Sequence, residues 1–211
     1  MVNILVFGDS LAYGAWDLQG GWVQRLRRFL EEKNLADLSE SPLVYNLAIS
    51  GDTSTDLLER FESEIKPRLE EEEETIVIIG IGQNDAQFLH DENRLRTSKE
   101  EFRQNLQKLI SLAKKFSHKI VFIGLVPVDE SKAAPIPWDK NKFYLNKNIR
   151  EYNRIVKEIC EQNEISFVDV FGKFIKTDYK ELLYEGLHPN SAGHEKIFGI
   201  LKVELIKNGI I

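Results

Sequence analysis

The 211-residue chain is poor in cysteine, methionine, proline and glycine, with one, one, six and thirteen of them. A single cysteine excludes an internal disulfide framework and a multi-cysteine metal site. With so little glycine and proline, and 42% hydrophobic residues, the chain is neither disordered nor fibrous. Positive charge is also in deficit: 28 Lys and Arg stand against 34 Asp and Glu, a net charge of −6. No basic surface is therefore expected for nucleic acid or an anionic membrane. Long apolar runs are missing as well. Runs such as Ile76 to Ile81 are far short of the roughly 20 residues of a membrane span. No basic stretch followed by an apolar one precedes the first expected strand, so a cytoplasmic protein without stable membrane association is expected. A chain of this length buries about 70% of its unfolded surface. One domain over residues 1–211 is expected, needing no metal or cofactor to hold its core.

Short β-branched and aliphatic runs alternate with amphipathic segments. Strands are expected at residues 2–7, 43–47, 75–80, 119–125 and 165–170. Several are apolar on consecutive residues, which suits strands covered on both faces and hence a parallel sheet. Helices are expected at residues 20–33, 53–66, from Ser98 onward, 146–162, and from Asn190 or Ser191 to about Lys207. Pro67 stops the second, and Ser98 with Glu101 has capping-box spacing. Alternating β and α elements of this kind predict a flavodoxin-like three-layer α/β/α sandwich on a five-stranded parallel sheet. Its ligand crevice lies at the carboxyl ends of the strands.

Those strand ends carry the distinctive residues. The first strand runs into Gly8-Asp9-Ser10-Leu11, the second into Ile49-Ser50-Gly51-Asp52, and the third into Gly82-Gln83-Asn84-Asp85. Near the end of the chain comes Glu185-Gly186-Leu187-His188-Pro189-Asn190. Together they supply the parts of an acyl-transfer site. A serine hydroxyl needs an adjacent base to act as a nucleophile, and His188 is the candidate base for Ser10. A carboxylate must hold the imidazole in the right tautomer. Glu185, three residues earlier, reaches the ring through a turn. The Ser10 N–H, the Gly51 N–H and the Asn84 side-chain amide form a plausible oxyanion hole.

These four blocks, in this order and each at an expected strand or helix boundary, resemble the SGNH (GDSL) hydrolase family from residue 4 to about residue 194. The resemblance implies hydrolysis of small carboxylic esters or thioesters without a metal or cofactor. It implies Ser10 as nucleophile, His188 as base, and Ser10, Gly51 and Asn84 as the oxyanion hole. The stretch Ser50-Gly51-Asp52-Thr53-Ser54 is similar to the branch of thioesterases, lysophospholipases and arylesterases. One residue departs from the family, which usually has Asp where this chain has Glu185. Glu185 replaces it, or a backbone carbonyl orients His188 instead, or the site is weakened or specialised.

The segment 126–145 is a long connection rich in proline and aromatics, a candidate lid or substrate wall around Trp138. Tyr13, Trp16, His90, Trp138 and Leu187 are candidate substrate contacts. Asp9, Asp85 and Asp169 read as loop anchors, and Cys160 as a buried thiol. His90, His118 and His194 lack a metal-ligand pattern and read as exposed or loop histidines. The rival readings are a carbohydrate O-acetyl esterase or a lysophospholipase on the same fold, and a non-catalytic flavodoxin-like binding module.

Overall fold

Residues 2–35, 42–70 and 73–211 are described in the structure, a computed structural model. Strand β1 (Val2–Gly8) leads into the one-turn helix α1 (Ser10–Tyr13) and then α2 (Gly21–Lys33). Next come β2 (Leu43–Asn46), α3 (Ser54–Ile65) and β3 (Glu74–Gly80). Two short strands, β4 (Phe88–Leu89) and β5 (Arg94–Leu95), precede α4 (Lys99–Ala113) and β6 (Lys119–Ile123). The long connection holds α5 (Glu130–Ala133) and β7 (Lys142–Phe143). The chain continues through α6 (Asn146–Gln162), β8 (Ser166–Val168), α7 (Val170–Phe174) and α8 (Ser191–Lys207).

The main sheet has five strands in the order β2-β1-β3-β6-β8, with every pairing parallel. The inner strands β1, β3 and β6 carry consecutive buried apolar residues because both their faces are covered. Leu5, Phe7, Val77 and Ile79 share one core with Leu57 and Phe61 of α3, Phe102 of α4 and Ile149 of α6. Ile4, Val6, Ile76 and Ile78 face the other way, onto Trp22 and Leu26 of α2 and Ile197 and Leu201 of α8. This is the expected three-layer architecture.

Helix boundaries follow capping chemistry. Thr53 and Asp56 form a reciprocal capping box at α3. Ser98 accepts from the Glu101 N–H at α4, while the Glu101 carboxylate turns to Thr55. Asn190 accepts from the Gly193 N–H at α8. Asp169 ends β8 two residues before its expected limit by capping α7 through the Gly172 N–H. Strand β6 stops at Ile123 because side chains take over its ladder: the Leu125 N–H donates to Asn153 Oδ1 and the Val126 N–H to Gln83 Oε1.

Two features differ from expectation. A second sheet, β5-β4-β7, is antiparallel and made of two-residue strands, too short to show a period in sequence. The exposed or loop reading of His194 is incorrect, because the residue is fully buried in α8. It shares a helix face with Ile197, Phe198 and Leu201, a spacing of three, four and seven. Burial pushes its imidazole down to about 4, so it is neutral. His90 and His118 are exposed, and Cys160 is buried.

Candidate active site

Ser10 is the first residue of α1, directly beyond β1. Its neighbour Asp9 caps the turn by accepting the Leu11 N–H at 2.9 Å. The close turn requires glycine at position 8, where a Cβ would lie 2.7 Å from both the Ala12 Cβ and the Gly80 carbonyl oxygen. Asn46, at the end of β2, holds the far side of the turn through the Ala12 carbonyl.

His188 arrives from the opposite end of the chain. Its turn is closed by the Tyr184 N–H donating to the His188 carbonyl and by a bridge between Leu183 and Pro189. The structure brings His188 Nε2 to 2.9 Å from Ser10 Oγ. His188 Nδ1 meets Glu185 Oε1, and the same oxygen accepts the His188 backbone N–H at 3.2 Å. The longer glutamate arm therefore reaches the ring from three residues away. The Trp16 indole N–H also points at Nδ1, at 3.2 Å. One ring nitrogen cannot donate to a carboxylate and accept from an indole at once. The charge-assisted contact to Glu185 prevails, which places hydrogen on Nδ1 and leaves Nε2 free to accept from Ser10.

The other two blocks converge beside them. Gly51 has a positive φ of 93° and open space where a Cβ would stand. Neither the Ser10 N–H nor the Gly51 N–H donates to another described residue. The Asn84 Nδ2 donates to the Asp52 carbonyl at 2.9 Å, and its Oδ1 accepts from the Tyr144 hydroxyl at 2.7 Å. Arg60 fastens this corner, donating to Asp52 Oδ2 at 2.7 Å and to the Leu47 carbonyl at 2.8 Å. Asp85 accepts the Ser54 N–H and hydroxyl, tying the third strand end to α3. Burial pushes its carboxyl up to about 6 despite those bonds.

Trp16 and Trp138 flank the imidazole. Trp138 stacks on it with centroids 6.3 Å apart, and Trp16 presents its edge at 6.2 Å. Trp16 holds a left-handed φ of 65°, uncommon for a bulky residue and frequent where a side chain is aimed at a site. Tyr184 stacks on Trp16 at 6.3 Å. Trp16, Trp138 and Tyr184 are 60%, 56% and 65% exposed, while Ser10 and His188 are 8% and 7% exposed. Tyr13 is exposed too. Two other candidates stand apart from this rim. Leu187 is buried in the core, and the exposed His90 pairs with Phe143 at 5.6 Å.

Sequence reasoning missed Tyr144, Arg60, Gln83 and Tyr184. Their only signal was position: Tyr144 closes the long connection, Arg60 sits on α3, Gln83 lies inside the Asn84 block, and Tyr184 directly precedes Glu185. No group of three or more His, Cys, Asp or Glu side chains suited to a metal occurs among the described residues. No helix among them is long and apolar enough to cross a membrane.

Asp9 is buried, with Oδ2 unpartnered among the described residues. Burial, reinforced by Asp85 and Asp52, pushes its carboxyl up to about 7. A carboxyl raised on folding binds more protons in the native state than in the unfolded chain. Stability is therefore lost as pH rises from the ordinary aspartate range through 7. In Asp9→Asn the amide oxygen keeps the Leu11 bond and nothing ionises. The fall in Tm between pH 5 and pH 8 is expected to shrink by the equivalent of about 1 kcal/mol or more. Equal falls in the two proteins would refute the raised carboxyl.

A sequence model of the GDSL-like lipase/acylhydrolase family matches residues 6–196. The protein named uncharacterized lipoprotein YqeF of Bacillus subtilis is 26% identical, over 91% of this chain and 82% of its own length. Esterase TesA of Pseudomonas aeruginosa is 26% identical, over 92% of this chain and 83% of its own length. The crystal structure of a lipase/acylhydrolase from Enterococcus faecalis superposes with a TM-score of 0.75 at 24% identity, covering 99% of this chain and 97% of that one.

Proposed function

Since the chain belongs to the GDSL-like lipase/acylhydrolase family, whose members are carboxylic ester hydrolases, we propose that it hydrolyses small esters or thioesters through an acyl-Ser10 intermediate. The observation that carries this reading is the 2.9 Å contact of Ser10 Oγ with His188 Nε2, on a ring whose other nitrogen meets Glu185. His188 takes the Ser10 proton as Oγ attacks the acyl carbon. The oxyanion is held by the Ser10 and Gly51 N–H groups and by the free Nδ2–H of Asn84. His188 then returns the proton to the leaving alcohol or thiol as the bond to it breaks. Water, deprotonated by the same imidazole, attacks the acyl-serine, and the carboxylic acid departs as Ser10 regains its proton. Glu185 fills the role of the family's usual aspartate, keeping Nδ1 protonated and the ring aligned. No step needs a metal or a cofactor. A cytoplasmic location belongs to this proposal as well, and the lipoprotein relative is its counterweight.

The nearly buried Ser10 and His188, beneath two indoles, favour a small acyl group. The exposed aromatic rim favours a second reading for the leaving group. Trp16, Tyr184 and Trp138 offer flat faces on which a sugar ring can stack, as in a carbohydrate O-acetyl ester. One series of measurements tests both. On p-nitrophenyl acetate, butyrate and octanoate, kcat/KM is expected to fall by about tenfold or more from the shortest to the longest. Each methylene excluded from a fitted pocket is worth about 1–3 kcal/mol. Trp138→Ala is expected to flatten that preference. An optimum at octanoate, or a Trp138→Ala profile matching wild type, would defeat the short-acyl reading. Peracetylated xylose turned over faster than p-nitrophenyl acetate, with the advantage lost in Trp16→Ala, would select the carbohydrate.

A further inference from the structure

We propose that Tyr144 is a positioning residue for the oxyanion site, its hydroxyl holding the Asn84 amide so that one Nδ2–H stays free for the substrate. The inference rests on the reading of Asn84 as an oxyanion donor. A side-chain amide is almost symmetric in shape, and a half-turn exchanges its oxygen with its nitrogen. In the exchanged state the site would offer a lone pair to a developing negative charge. Two partners prevent this. The Asp52 carbonyl only accepts, so it selects the nitrogen, at 2.9 Å. The Tyr144 hydroxyl donates to the oxygen from the other side, at 2.7 Å.

Both side chains are buried, Asn84 at 6% and Tyr144 at 3% exposure. No bulk water competes for either bond. Burial and the nearby Asp9 hold the phenol far above its ordinary range, so it remains a donor at any working pH. Donation to Oδ1 also polarises the amide and strengthens the remaining Nδ2–H as a donor. Tyr144 is well placed for this duty. Its backbone N–H donates to the Ala133 carbonyl at 2.9 Å, and it lies between β7 and α6. The far end of the long connection is thereby tied to the oxyanion site, while Trp138, midway along it, covers the imidazole.

The test is a double-mutant cycle on p-nitrophenyl acetate with Tyr144→Phe and Asn84→Ala. Tyr144→Phe is expected to lower kcat by about tenfold, with KM within about twofold, since the bond acts on transition-state charge. In the Asn84→Ala background the same change is expected to alter kcat by less than about twofold, because the amide it orients is gone. Unchanged kcat in the single variant would overturn the proposal. So would an undiminished loss in the Asn84→Ala background, the mark of a hydroxyl that only holds the loop. Wild-type kcat in Asn84→Ala would instead overturn the reading of Asn84, and the role of Tyr144 with it. Should Tyr144→Phe not fold, Tyr144→Leu, which likewise lacks the hydroxyl donor, is measured in both backgrounds against the same criterion.

Discussion

Ser10→Ala is expected to reduce kcat on p-nitrophenyl acetate by about 10⁴-fold or more, with Tm close to wild type. Among the described residues the hydroxyl makes one hydrogen bond, with His188 Nε2, so its removal costs the fold little. For the reaction it removes the acceptor of the acyl group, and no covalent intermediate can form. The early burst of p-nitrophenol should vanish with it. Glu185→Ala provides the contrast. On the proposed mechanism its carboxylate only orients the imidazole, and the variant is expected to retain about 100-fold more activity than Ser10→Ala. Near wild-type turnover by folded Ser10→Ala would remove the serine mechanism. Equal losses in the two folded variants would give Glu185 a larger part than orientation.

Asn84→Ala is expected to lower kcat by about 10²–10³-fold while KM changes little, the cost of one donor aimed at developing charge. A second consequence distinguishes it from Ser10→Ala. The truncation leaves the Asp52 carbonyl and the buried Tyr144 hydroxyl without their partner. Each such orphan costs about 1–3 kcal/mol, so Tm should fall measurably. Activity is best compared well below the lower Tm. A kcat within about threefold of wild type would exclude the amide from the oxyanion hole.

The main sheet was legible because its central strands carry consecutive apolar residues, as at residues 4–7 and 76–79, and its helices carry clear caps, as at Thr53 and Asn190. The strand-end blocks were legible because chemistry there depends on few residue types in a fixed order. What escaped had no local signature. Tyr144 lies in a connection without periodicity, and an aromatic there reads equally as packing. Arg60 looks like an ordinary helix-surface cation, yet its guanidinium gathers Asp52 and the Leu47 carbonyl. His194 did carry a signal, its helical spacing from Ile197 and Leu201, but histidine's polarity outweighed it. The glutamate at 185 left its own role open, since only geometry shows that the longer arm folds back onto the ring.

The assigned nucleophile and base stand 178 residues apart in the chain, and this separation sets an order of events during synthesis. Ser10 leaves the ribosome directly after β1. The other four strands of the main sheet follow, the last ending at Val168. His188 and the covering helix α8 emerge after every strand of the sheet. A chain cut short after β8 would thus hold every strand and Ser10, yet lack the His188 imidazole and the part of its core that α8 supplies. On the proposed mechanism, hydrolysis waits for His188, which makes activity a gauge of synthesis through that residue.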